Sequence, residues 1–110
     1  MTQNLALEIY ESIQKSSFSS LRDDFFRKAV RYAHFRAEWK LSDTQARIEM
    51  DAPRTIAHNA LIDSLNILVR NMHQQNENVE WHKYLKNNRI EIAELACWIN
   101  CILSLSAISL

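Results

Sequence analysis

The sequence predicts an all-α protein, a single-domain antiparallel helical bundle of four main helices plus one or two short helices that spans residues 1–110. Three observations indicate this fold class. The 110 residues include no glycine and one proline, so the tight two-residue hairpins of β proteins lack their usual residues. Apolar residues recur at helical spacing in every long segment. Serine and asparagine stand at the breaks, where they can cap a helix or adopt a left-handed conformation.

The composition excludes several classes of function. Without glycine there is no dinucleotide fingerprint, P-loop, EF-hand turn or nucleophile elbow, because each needs a positive φ or a close backbone approach. The chain has 13 basic and 13 acidic residues and is 47% apolar, which is typical of a globular protein. A formal charge of zero creates no general attraction to nucleic acid or acidic lipid and mildly favours self-association.

The first predicted helix covers residues 4 to about 15, where Leu5, Ile9 and Ile13 recur every four residues. It ends in the serine-rich residues 16–20, which favour a turn. Ser19 or Ser20 is then the expected N-cap of a second helix, with acidic residues in its first turn.

The second predicted helix runs to about residue 40 and has one apolar and one charged face. Its expected ion pairs are Asp23/Arg27, Asp24/Lys28 and His34/Glu38. Because each member of a pair lies one turn from the other, the charged face is interpreted as solvated and ion-paired. We therefore expect no nucleic-acid partner.

Residues 43–74 allow two interpretations. Ser42 and Gln45 fit a capping box that starts a helix. Pro53 fits the first turn of a new helix, which predicts two helices. The alternative is one long helix kinked at Pro53.

From residue 52 to about 74, apolar residues cover nearly three quarters of the helical wheel, which predicts the central helix of the bundle. The polar residues fall on one narrow stripe, which allows three interpretations. It is the only solvent-exposed line of a buried helix, it forms hydrogen bonds across a subunit interface, or it lines a groove for a partner helix. The candidate interaction residues of this stripe are Asn59, Asp63, Asn66, Arg70 and His73.

The last third of the chain predicts a short helix over residues 79–86 that buries Trp81 and Leu85. Asn88 and Glu91 form a further capping signal for a last apolar helix. Its cysteines, at positions 97 and 101, are expected to be buried free thiols in a reducing compartment. This helix is too short and too interrupted by polar residues to span a membrane. With no signal peptide visible, we expect a cytoplasmic protein without a membrane partner.

Catalytic chemistry has one candidate, at the predicted start of the central helix. Arg54 and His58 lie one turn apart on its apolar side, and Asp63 follows. Desolvation would keep the histidine neutral and able to act as a base, while the arginine could hold an anion. The other interpretation is structural, with the histidine and the arginine bonded to neighbouring groups. No motif for a metal or cofactor is present, so no cofactor is expected.

Two resemblances concern the same segment. HEPN-type ribonucleases carry an arginine followed by a histidine after four to six residues. Arg54 and His58 are separated by only three, and the pair Arg27 and His34 lies on the charged face, so the HEPN motif is not matched. Residues 54–63 resemble a segment of small uncharacterised bacterial helical proteins. That resemblance implies bacterial origin and a helical fold, and no function.

The leading hypothesis is therefore a small cytoplasmic, non-enzymatic protein–protein interaction or regulatory protein that forms a homodimer or binds another protein. The alternative is a small hydrolase or nuclease that uses Arg54 and His58 with Asp63.

Overall fold

The computed structural model describes residues 2–108, and within that range all regular secondary structure is helical. The predicted all-α class is confirmed. The helices are α1 (Thr2–Gln14), α2 (Ser19–Leu41), α3 (Thr44–Gln74), α4 (His82–Lys86) and α5 (Ile92–Ile108).

One hydrophobic core joins these elements, and α2 is the helix that packs against both α3 and α5, while α1 packs on α5. The connecting segment before α4 adds the buried Trp81, whose indole Nε1 donates to the carbonyl of Asn78 at 2.9 Å. The largest side chains of the core that are sealed from solvent are Ile9, Ile13, Phe25, Leu61, Leu68, Met72, Trp81, Ile90, Leu95 and Ile99.

The prediction that α3 is the central helix is wrong. Its buried residues form one face, because they recur at spacings of three and four, and the opposite face is open to solvent. Ile56 is 68% exposed and Ile67 is 42% exposed. A wide apolar arc on a helix thus does not require burial on several sides, since apolar residues also occur on protein surfaces. The buried residues of α3 are Ala57, Leu61, Ser64, Leu65, Leu68 and Met72.

The prediction of a new helix at Pro53 is also wrong, because α3 continues through this proline without interruption. Proline cannot donate to the carbonyl four residues earlier, that of Glu49. Both residues are exposed, so water can bond to that carbonyl and reduce the cost of the missing hydrogen bond.

The helix caps and ion pairs differ from the predicted ones by small shifts. The N-cap of α2 is Phe18, which has no capping side chain, so Asp23 and Asp24 fall beyond the first turn. Asp43, not Ser42, caps α3 by accepting from the Ala46 N–H at 2.9 Å. Capping depends on backbone conformation at one position, which sequence spacing alone leaves uncertain by a residue or two.

Of the predicted ion pairs, that of Asp24 with Lys28 is present at 2.7 Å. Arg27 also bonds to Asp24, at 3.1 Å, and Asp23 pairs with Arg22. The Lys28 ammonium is the main cause that lowers the pKa of Asp24. No hydrogen bond or ion pair joins the third predicted pair, His34 and Glu38, in the part of the chain that the structure describes.

Two asparagines end helices in the left-handed conformation, as the sequence predicted for the breaks. Asn76 has φ 59° and Asn88 has φ 60°. After α3, the Glu77 N–H donates to the Met72 carbonyl at 2.9 Å, and the Asn76 N–H to the carbonyl of His73 at 3.1 Å. This 6→1 and 5→2 pair of bonds defines a Schellman motif, a role usually filled by glycine.

The same arrangement ends α4. The Arg89 N–H donates to the Tyr84 carbonyl at 2.9 Å, and the Asn88 N–H donates to the Leu85 carbonyl at 3.4 Å. Asparagine therefore takes the place of glycine at the ends of both α3 and α4.

A further prediction, that the two cysteines of α5 are buried, is wrong. Cys97 and Cys101 are free thiols, as expected, but both are exposed, because the buried face of the helix is formed instead by Leu95, Ala96 and Ile99. Among residues 2–108, no helix has the length and apolarity needed to cross a membrane.

Candidate functional site

A cleft of about 620 Å³ lies where α2, α3, α4 and the start of α5 meet. We call it the α2–α5 cleft. We call the apolar part of its lining, which is buried or half-buried, the floor, and the polar and charged part, which is half-buried or exposed, the rim. The apolar lining consists of Tyr32, Ile62, Leu65, Leu85, Ile92 and Ala93, and the polar lining consists of Arg36, His58, Asn66, His82, Lys86, Asn88 and Glu91.

His58 reaches this cleft from α3. Its imidazole lies against the ring of Tyr32 on α2, with centroids 5.3 Å apart and the planes tilted by 57°. Tyr32 is buried and belongs to the core cluster, so this contact holds the histidine against a rigid element. His58 itself is half-buried.

His82 is the first residue of α4 and also lines the cleft. It follows the buried Trp81, and the two rings meet edge-on with their centroids 6.0 Å apart. Burial lowers the pKa of His82, and the positive charge of Lys86 lowers it further. The imidazole is therefore neutral at pH 7 and offers one N–H donor and one acceptor nitrogen.

Two permanent cations border the cleft. Arg36 projects from α2 and Lys86 from the end of α4. Neither forms an ion pair or a side-chain hydrogen bond with any of residues 2–108. Glu91, just before α5, is the single acidic residue of the lining. The formal charges of Arg36, Lys86 and Glu91 sum to one positive unit.

Arg54 does not line this cleft, although it lies one turn before His58. Its guanidinium carbon is 5.6 Å from the centre of the Trp39 ring, and its Nη2 is 3.4 Å from Asp51. Its Nε is buried without a hydrogen-bond partner in the described part of the chain. Together with Arg36 and Lys40, it lines a separate cavity of about 230 Å³. Arg36 thus borders both cavities.

Asp63 and the polar stripe of α3 lie on the exposed side of the helix. Asn59, Asp63, Arg70 and His73 are all exposed, and the exposed Asn66 also lines the rim of the cleft. The sequence candidates Arg54, His58 and Asp63 are therefore distributed over the smaller cavity, the cleft and the outer surface.

Sequence reasoning missed Arg36, His82 and Lys86 as cleft residues. Arg36 lies on α2, and the other two lie one turn apart on α4. Only tertiary packing brings these two helices together, so no spacing in the sequence links Arg36 to His82 and Lys86. A partial clue was present in Trp81, because burying this ring fixes the position of the next residue, His82.

A second surface of interest is an apolar ridge on the outer face of α3. It consists of Ile48, Ala52, Ile56 and Ala60, each four residues after the last. Ile48 is 64% exposed and Ile56 is 68% exposed. Residues that recur every four positions form a continuous ridge along a helix surface, so this ridge is a potential packing surface for another helix.

Within residues 2–108, no cluster of three or more histidine, cysteine or carboxylate side chains is arranged to hold a metal ion. No protein-family model, curated protein or solved structure matches the chain.

Proposed function

We propose that this chain is a small non-enzymatic interaction protein that acts as a homodimer through the outer face of α3. The observation that carries the proposal is the exposed α3 ridge, in which isoleucine and alanine alternate every four residues. The antiparallel bundle predicted from the sequence, which the short connections of residues 15–18 and 42–43 favour, leaves this face of α3 free.

The order of large and small residues makes the ridge complementary to itself. A two-fold axis midway between residues 52 and 56 sets two α3 helices antiparallel. It places Ile48 opposite the partner's Ala60. It places Ala52 opposite the partner's Ile56. Every large side chain then faces a small one, as interdigitated helix packing requires, and the same patch serves both subunits.

The polar residues that flank the ridge suit the same register. The axis brings Glu49 opposite the partner's Asn59, and Gln45 opposite the partner's Asp63. Each acidic group therefore meets an amide that can donate a hydrogen bond, and no two like charges face each other. The stripe residues Asn59 and Asp63 would thus take part in the interface, whereas Asn66, Arg70 and His73 lie beyond it.

A single helix face is a small interface, below about 1,200 Å² in total. We expect reversible association with a dissociation constant on the order of 10 µM. A dimer that forms and separates in this range would suit a regulatory protein, because its state depends on its concentration.

Sedimentation equilibrium tests the proposal, with Ile56→Glu as the disruptive variant. A charge at this position would face an alanine of the partner without a counter-ion, so the variant should remain monomeric. Ile67→Glu is the matched control, because Ile67 is also exposed on α3 but lies about two turns beyond Ala60, the last residue of the ridge. Circular dichroism should show both variants folded. A wild-type chain that is monomeric at roughly tenfold above the expected constant, or equal dimerisation by both variants, contradicts the proposal.

Cross-linking tests the register. In a background with Cys97 and Cys101 changed to serine, the double variant Ala52→Cys/Ile56→Cys should give a disulfide-linked dimer on mild oxidation. The pair Ala52→Cys/Ile67→Cys should not, since the axis does not bring these positions together. Cross-linking of the second pair alone would show a different interface.

The second candidate function is hydrolysis or nuclease activity, and the observation that favours it is the presence of two histidines in one cleft. The neutral imidazole of His82 could serve as a general base, with the His58 imidazole as a second proton-transfer group, beside Arg36 and Lys86. Arg54 would act only indirectly, since it lines the neighbouring cavity. Hydrolysis of single-stranded RNA or a nitrophenyl ester that is lost in His58→Gln and retained in His73→Gln would support this candidate. No hydrolysis above buffer would remove it.

A further inference from the structure

We propose that the α2–α5 cleft is a binding site for a small organic molecule with an apolar body and a single carboxylate. This inference is independent of both dimerisation and hydrolysis. The cleft is distinct from the α3 ridge, because His58 and Leu65 face it from the side of α3 opposite Ile56 and Ala60.

The size and lining of the cleft are those of a small-molecule site. Its volume of about 620 Å³ lies within the range of roughly 300 to 1,000 Å³ in which proteins bind drug-sized ligands. The floor combines the buried ring of Tyr32 with aliphatic side chains from three helices, including Leu65 of α3 and Ile92 of α5. An apolar ligand body would displace water from this floor, which favours binding.

The rim determines the charge of the ligand. Arg36 and Lys86 approach from different helices and have no acidic partner among the described residues, while Glu91 offsets one of these charges. A ligand with one negative charge neutralises the remainder. Arg36 can bond to both oxygens of a carboxylate, and Lys86 adds a point charge.

Neutral donors complete the arrangement. His82, whose pKa is lowered by burial, can donate one N–H without adding charge, and the amides of Asn66 and Asn88 can bond to further polar atoms. A doubly charged phosphate group would exceed the single positive unit left by Arg36, Lys86 and Glu91. The charge balance of the lining therefore favours a carboxylate.

The test uses 2-naphthoate as the probe, with two matched ligands. 2-Naphthylmethanol keeps the apolar body without the charge, and acetate keeps the carboxylate without the body. Titration followed by methyl NMR should shift Ile62, Leu85 and Ile92 in the cleft, and leave Ile13 and Ile48 unchanged. Naphthoate should bind at least about tenfold more tightly than either matched ligand, because both parts of the site contribute.

Protein variants separate specific binding from general attraction to positive charge. Lys86→Gln and Arg36→Gln should each weaken naphthoate binding by about tenfold. Lys83→Gln is the control, since Lys83 lies on the same short helix but does not line the cleft; it should change affinity by less than about twofold. The inference is overturned if naphthylmethanol binds as tightly as naphthoate, if the shifts fall outside the cleft, or if Lys83→Gln and Lys86→Gln have equal effects.

Discussion

Replacing Pro53 by alanine should make the protein more stable. Pro53 lies within the 31-residue helix α3, and its ring is exposed, so the substitution removes no core packing. Alanine restores a donor for the carbonyl of Glu49 and relieves the steric conflict of the ring with the preceding turn.

The magnitude follows from two opposing contributions. Proline in a helix interior is about 3 kcal/mol less favourable than alanine. Proline also restricts the unfolded chain, which is worth about 0.4 to 1 kcal/mol and is lost in the variant. Hydration of the exposed Glu49 carbonyl reduces the gain further. The net expectation is an increase of about 1 to 2 kcal/mol in the free energy of unfolding.

Guanidinium unfolding followed by circular dichroism at 222 nm measures this change. The midpoint should rise while the slope stays constant, since the exposed area on unfolding is unaltered. Thr55→Ala, another exposed position of α3, is the control and should gain only a few tenths of a kcal/mol. If Pro53→Ala is neutral or destabilising, the proline would be acting as the first residue of a separate helix, and the continuous α3 would be refuted.

Two other predictions concern helix ends and pH. Asn88→Ala should destabilise the protein by about 1 kcal/mol because alanine tolerates a φ of 60° poorly, whereas Asn88→Gly should cause no loss of stability. Equal midpoints of urea unfolding for the two variants would contradict the role of the left-handed turn. Glu77 accepts hydrogen bonds from Ser17 and Ser16, which lower its pKa from the ordinary value of 4.5, the contribution of Ser17 being the larger. The contribution of Glu77 to stability is therefore present above that value and lost as pH falls through the lowered pKa of the folded state. The difference in melting temperature between wild type and Glu77→Gln should therefore shrink below about pH 4.5. The control variant Glu80→Gln should show no such change. A difference that stays constant from pH 7 to pH 3 would contradict the role of the Glu77 carboxylate.

The helical segments could be predicted from the sequence because the period of the apolar residues is a local property. Ile9 and Ile13 in α1, and Leu95 and Ile99 in α5, are buried as their spacing indicated. In α3, apolar residues occupy both faces, so periodicity could not decide which face is buried. That choice depends on contact with α2, which assigns Leu61 to the core and Ile56 to the surface.

The candidate site was less predictable for the same reason. His58 was recognised because it lies on the apolar side of its helix. Its neighbours Arg36 and His82 come from distant parts of the sequence. Their proximity results from the packing of α2 and α4 against α3 and α5, and the sequence of one chain contains no direct record of such contacts.

The two asparagine turns, at Asn76 and Asn88, have a consequence for the unfolded chain. By using asparagine there, the protein completes its fold with no glycine at all. A chain of this length usually has about eight glycines, each adding about 0.5 to 1 kcal/mol of backbone entropy that folding must overcome. Their absence lowers the conformational entropy of the unfolded chain, and with it the free energy that folding must overcome. The strain at two left-handed asparagines is small beside this reduction, so the fold is favoured in part because the unfolded chain has less conformational entropy to lose.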